Sequence, residues 1–260
     1  MSNDEIEMVK SKTKFCHYTS VKNARNILSN ECIFLSKFSG MNDITEAGLH
    51  SEDMNRVFVL SLCHSEALNI PVFYLYGGIN GKGCRIQFTD TKIREILQKS
   101  QVFGVNKQYR LLKNSIDPSE YKIISDWVYY ISTDGYCEHR NDTPKRFESK
   151  EKALLELKKT DRNYFVKSPI WKYENEFRII VAFNKDIPYD RVALRFNIKN
   201  NDPGISVKFG PETTQEEFDK LKAEFKDYGI DKSSKSLDNA IKMDLIDRNK
   251  ELLKARESKQ

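Results

Sequence analysis

The stretch Trp171-Lys172-Tyr173-Glu174-Asn175-Glu176-Phe177-Arg178-Ile179-Ile180-Val181-Ala182-Phe183 carries the strongest strand signal in the chain. Its second half is a run of β-branched and aromatic residues, and its first half alternates aromatic with charged side chains. Period-2 geometry turns Trp171, Tyr173 and Phe177 to a core and lines Glu174, Glu176 and Arg178 on the other side. Two carboxylates beside an arginine are either an exposed ion-paired face, the commoner arrangement, or a paired-carboxylate site in which Arg178 holds one group ionised. Spacing alone leaves both open.

Other strands collect around this one. Lys14 to Tyr18, Cys32 to Leu35, Val57 to Cys63, Cys84 to Phe88, Val192 to Ile198 and Ile205 to Phe209 read as strands, the last stopped by Gly210-Pro211. Helices fall between them. Thr19-Ser20 caps a helix bearing Val21, Ala24, Ile27 and Leu28 on one face and closed by Asn30, and Thr91 to Lys99 is amphipathic. Lys145 to Lys159 reads as a charged helix, Thr213-Thr214 opens another around Phe218, Leu221 and Phe225, and Ser236 to Gln260 carries a stripe of Leu237, Ile241, Leu245 and Leu252. Tyr121 to Ser132 is a strand or a buried helix; periodicity does not separate the two. Roughly eight strands mixed with five or six helices, in no βαβ alternation, predict an α+β fold on a mostly antiparallel sheet, whole or split, with flanking helices. The chain divides into a polar tail over residues 1–14, one α+β domain over 15–230, and a C-terminal helix over 231–260 that docks on the domain, on a second copy or on a partner.

The 260 residues include 43 Lys+Arg against 38 Asp+Glu, with 15 Phe and 12 Tyr to fill a core, which excludes global disorder. No apolar run approaches the roughly 20 residues that cross a bilayer, and Met1 to Lys14 lacks a secretory h-region, so the expectation is a cytoplasmic protein with no membrane partner. The five cysteines are widely spaced and form no C-x-x-C pair, which argues for reduced thiols and against a zinc site. Cys16-His17 and Cys63-His64 sit next to each other on strands, so each pair splits across two faces; no metal is expected. A net charge of +5 is too mild to announce a nucleic-acid binder.

Gly77-Gly78-Ile79-Asn80-Gly81-Lys82-Gly83 suggests a phosphate cradle, but a strand follows it where a helix N-terminus is needed, so a hairpin or bulge is the better reading. Phe15-Cys16-His17-Tyr18-Thr19-Ser20 ends a strand with a histidine just before a helix. That is a good position for a ligand group, and equally for a histidine satisfied by a nearby carbonyl beside a Thr-Ser cap, which is the more frequent case.

Taken together, His17-Tyr18-Thr19-Ser20 before a helix, Met41-Asn42-Asp43 with Glu46, Ser61 in an apolar strand, Tyr74-x-Tyr76-Gly77 before Gly83, Trp171-x-x-Glu174-x-Glu176-x-Arg178 and Phe209-Gly210-Pro211 resemble a bacterial family known as domain of unknown function 2971, from about Phe15 to Gly229. More distantly, the arrangement is similar to the ADP-ribosyltransferase superfamily, which splits NAD. That resemblance implies an ADP-ribosyltransferase-like fold with NAD as co-substrate and a nucleic acid or protein acceptor, in bacterial stress or phage defence. By the same resemblance His17 holds the NAD ribose and Thr19 or Ser20, beside Tyr18, the nicotinamide amide. Tyr74 or Tyr76 stacks on the ring, Glu176 or Glu174 stabilises the oxocarbenium-like state with Arg178 beside them, and Asn42-Asp43 orders the covering loop. Ile44 stands where relatives carry Pro, and Phe73 where Trp is common. The transferase reading requires His17, a ring from Tyr74 or Tyr76 and one of the two glutamates to converge on one cleft. A sensor or interaction module that keeps an ancestral cleft without turnover is the alternative.

Overall fold

A computed structural model describes residues 14–40, 55–64, 82–196, 202–210 and 212–230. Asn42, Asp43, Tyr74, Tyr76, the glycines 77–81, the N-terminal tail over 1–13 and the C-terminal helix proposed over 231–260 lie outside the described residues.

The chain forms strands and helices in the order β1 (Lys14–Thr19), α1 (Val21–Ser29), β2 (Cys32–Lys37), β3 (Val57–His64), β4 (Cys84–Thr89), α2 (Asp90–Lys99), β5 (Gln101–Val105), β6 (Leu111–Ser115), β7 (Tyr121–Trp127), β8 (Tyr129–Ile131) and β9 (Tyr136–Glu138). There follow β10 (Lys145–Arg146), α3 (Lys150–Lys158), β11 (Val166–Lys167), β12 (Glu176–Phe183), β13 (Arg191–Arg195), β14 (Ile205–Phe209), α4 (Gln215–Glu224) and β15 (Gly229–Ile230). The fold is α+β. Among the described residues it has an 11-stranded, mostly antiparallel sheet and a 4-stranded one ordered β10-β9-β8-β11.

The long sheet forks at β3. β12 pairs with one edge of β3 from Glu176↔Cys63 to Ala182↔Val57. On the other edge β1 pairs at Cys63 and His64, while β2 pairs at Val59 and Phe58. From there one wing continues as β1-β4-β14-β15 and the other as β2-β13-β5-β6. Helix α1 links the wings, starting where the Ser20 side chain accepts from the Asn23 amide and burying Ala24, Ile27 and Leu28.

Strand alternation gives the sheet two unlike faces. One carries Phe15, Leu60, Leu62, Ile86, Phe88, Phe177 and Ile179, the main core beneath the helices. The other is apolar where β3 and β12 present Val57, Val59, Ile180 and Ala182 to α3 and the small sheet. Farther along it turns polar: Cys16, Cys63 and Glu176 lie in one register row, and Ser61 stands opposite Arg178.

Two sequence expectations change. Strand β12 begins at Glu176, because Pro169 starts a 3-10 turn that runs to Glu174 and Asn175 then takes a left-handed conformation, φ 44°. Trp171 and Tyr173 therefore leave the core, Tyr173 being exposed, while Glu174 and Glu176 are both buried. The expected helix from Lys145 begins only at Lys150: Lys145 and Arg146 pair with β9, and the Ser149 side chain caps from the Lys152 amide. The ambiguous Tyr121 to Ser132 stretch resolves as β7 and β8.

Candidate functional site

At the start of β12 a charged cluster is sealed inside the protein. Glu174, Glu176, Arg178 and Lys167 are 3%, 1%, 0% and 6% exposed. The fold brings them together from separate elements. β11 supplies Lys167 because it packs parallel to β8, the 3-10 turn aims Glu174 inward, and β12 alternation puts Glu176 and Arg178 on one face.

Lys167 Nζ donates to Glu174 at 2.6 Å and to Glu176 at 3.0 Å. Arg178 donates to both Glu176 oxygens, through Nε at 2.8 Å and NH2 at 3.2 Å, and through NH1 to the Tyr164 carbonyl at 2.8 Å. Ser61 Oγ donates to Glu176 Oε1. The Glu176 backbone amide donates to the Tyr130 hydroxyl at 3.1 Å. Two carboxylates thus meet two cations, which is how buried charge is tolerated. Burial alone would raise the Glu176 carboxyl, but the Arg178 and Lys167 charges and the hydrogen bonds from Arg178 and Ser61 outweigh it and hold the group well below the usual carboxylate range. Its two oxygens already accept four bonds: Ser61 and Arg178 on Oε1, Lys167 and Arg178 on Oε2. A carboxylate offers about four lone-pair positions, so Glu176 has none left for a ligand hydroxyl or a substrate proton.

Beside the cluster opens a cavity of about 600 Å³, walled by Trp127, Tyr130, His139, Arg140, Tyr173 and Glu176, among others. The Arg140 guanidinium lies 4.4 Å from the Trp127 ring centre and 3.3 Å from His64 Nε2. His139 stacks on Tyr129 at 4.0 Å and reaches Asp126 at 3.2 Å. Burial pushes the Tyr130 hydroxyl above its ordinary value, so it stays protonated.

His17 is not part of this cluster. It pairs in register with Ile86 on the core face, whereas Cys16 and Cys63 share the face of Glu176. Its Nδ1 lies 3.5 Å from the Ser61 carbonyl, in the gap where β1 and β2 diverge along β3. Desolvation pushes the imidazole down to about 4 against the opposing effect of that carbonyl. The neutral ring therefore fills the fork, the carbonyl-satisfied reading of the sequence.

Thr19 is buried on the same side, and Ser20 caps α1. Tyr18 does lie on the Glu176 face, where Arg85 NH1 approaches its hydroxyl at 3.3 Å. Glu174, Glu176 and Arg178 are brought together; His17, Thr19 and Ser20 are not brought to them.

Sequence reasoning missed Lys167, Tyr130, Trp127 and Arg140. Lys167 left no distinctive signal, since a lysine after the apolar run Tyr164-Phe165-Val166 reads as a solvated strand end, and only its burial in the fold calls for carboxylate partners. Among the described residues no group of His, Cys, Asp and Glu is arranged to hold a metal ion, and no helix is long and apolar enough to cross a membrane.

Comparison with known proteins finds no match among curated proteins or solved structures. Over residues 73–179, the stretch that carries β4 to the start of β12 and with it Lys167, Glu174, Glu176 and Arg178, the chain matches the model of the family described as protein of unknown function DUF2971.

Proposed function

We propose that the chain is a non-catalytic ligand-binding module whose cleft lies beside the Glu176 cluster and takes a small, flat, anion-bearing molecule. The saturation of Glu176 carries this reading. An acid that already accepts four bonds and is held ionised by two cations is a structural anchor; to act on a substrate it would have to release a partner and leave a buried cation unpaired. The cavity walls supply the recognition chemistry. The half-exposed Tyr173 offers a ring face, Arg140 lies over Trp127, and Arg140 and Lys172 bring positive charge, Lys172 being paired with Glu138 at 2.5 Å.

A second reading is an NAD-consuming transferase that works without His17, since the convergence of His17 with the glutamates is not met; the place of Glu176 in the wall of that aromatic cavity supports it. In it Glu176 would give up Lys167 or Ser61 to a ribose hydroxyl, and His17 would have no part beyond filling the fork.

One experiment separates the two. The protein is incubated with labelled NAD, nicotinamide release is followed, and the thermal midpoint is read with and without NAD, ADP-ribose or AMP. The binding reading expects a ligand-dependent rise in midpoint that Arg140→Ala removes, with no nicotinamide released. Release by wild type that disappears in Glu176→Gln but persists in a folded His17→Ala overturns it in favour of the transferase. No midpoint shift with any of the three probes overturns the binding reading.

A further inference from the structure

We infer that a groove on the β2-β13-β5-β6 wing is a second binding site, taking nucleotide units with phosphate on its cations and a base against its aromatic rings. The groove has a volume of about 710 Å³ and contains Lys37, Lys107, Arg191, Tyr109 and Tyr189 in its walls, with Asp190 as its acidic side chain. That volume lies within the roughly 300–1,000 Å³ of small-molecule sites. None of these residues belongs to the Glu176 cavity.

Each recognition group is set in place by local structure. Ser36, Arg191 and Val105 form one register row across β2, β13 and β5, which puts Arg191 on the groove floor. Its guanidinium lies over the Tyr109 ring, 4.2 Å from the centre, and Phe34 meets the same ring edge-on at 5.9 Å. Stacking occupies the face of a guanidinium and leaves its edge, where the N–H donors lie, for a phosphate.

Tyr109 is held in a left-handed conformation, φ 62°, that non-glycine residues rarely adopt. The Asn106 side chain maintains it by accepting from the Gln108 and Arg110 amides at 2.9 and 3.0 Å. This turn between β5 and β6 sets the Tyr109 ring beside the Arg191 guanidinium.

Tyr189 packs on bare backbone: a Cβ at Gly104 would lie 2.8 Å from its ring. Lys37 meets Asp190 at only 3.6 Å, and Asp190 is 79% exposed, so the pair is weak and screened. Lysine and arginine around two tyrosines, against a single solvated acid, is the chemistry that tracks a phosphate backbone while stacking bases. It also localises part of the chain's +5 charge, which composition alone spread evenly.

The test is fluorescence anisotropy with a labelled oligothymidylate of about ten nucleotides, within the span of single-strand sites. Wild type is expected to bind with a slope of about −2 in log affinity against log salt, as three phosphate contacts on a single strand give. Lys107→Glu with Arg191→Gln is expected to weaken binding at least about tenfold, while Lys220→Glu on exposed α4 leaves it unchanged. Lys107 is exposed, so Lys107→Glu alone carries the test if the double variant unfolds. Unlabelled AMP is expected to compete. Oligomer binding much tighter than AMP assigns the groove to a strand, and equal affinity assigns it to free nucleotide. Absence of binding by both probes, or equal weakening by Lys220→Glu, overturns the assignment.

Discussion

Two residues set opposite dependences of burial on charge. Glu176 is buried with its charge and compensated; His17 is half-buried and kept neutral. Glu176→Gln leaves Lys167 and Arg178 with one carboxylate fewer, and breaking a buried ion network in this way is expected to cost about 3–5 kcal/mol in urea unfolding at pH 7. Acid separates the two residues. A carboxyl lowered in the fold contributes stability that is present above its unfolded value of 4.5 and is lost as pH falls through the lower folded value, so the Glu176 share survives to strongly acid pH.

For His17, lowered from 6.5 to about 4, the unfolded chain binds the extra proton between those values. Its contribution is complete above pH 6.5 and lost on the way down to 4, with a ceiling of about 3 kcal/mol. Unfolding free energies measured between pH 4 and 7 should therefore fall less steeply in His17→Gln than in wild type; identical slopes would remove His17 from the account. That histidine was visible in the sequence, but its partner was not, because a carbonyl 44 positions away reaches it only through the register of β1 on β3.

At the scale of elements, local signals were read well where they were local. Ser20 and Thr214, read as helix openings, cap their helices through their own side chains, and Thr214 completes a capping box with Glu217. The misreadings fell where pairing or a turn overrode pattern. Lys145 and Arg146 have helical neighbours but find β9 first, and Pro169 with Asn175 interrupts what alternation would have run on as strand. The turn feeding β9 rests on Gly135, φ 80°, where a Cβ would lie 2.5 Å from the Phe147 carbonyl oxygen. Gly135→Ala should destabilise the protein by about 1–3 kcal/mol through positive φ and crowding against backbone. Hydrogen exchange should quicken first in β8, β9 and β10; an unchanged pattern there would show the turn to be dispensable.

Across the whole molecule, the five cysteines report on the integrity of both cores. All are free and buried, and desolvation raises their thiols, Cys32 and Cys84 to about 12 and Cys137 to about 11. Native protein at pH 8 should therefore resist a thiol reagent at all five positions and become fully labelled only on unfolding, with the two midpoints coinciding; labelling before unfolding would reveal a core that opens locally. By itself the sequence determined the α+β class, seven of the fifteen strands among the described residues, the Ser20 and Thr214 caps and the apolar stripe of α1, because periodicity and capping act over a few residues. It also singled out Glu174, Glu176 and Arg178 as a unit. Only the tertiary structure decided that this unit is buried, that Lys167 joins it, and that His17 belongs to the far face. Burial and partnership of a charge depend on which strands lie beside it, and the fork of β1 and β2 on β3 and the docking of β11 over β12 are set by contacts between residues distant in the chain.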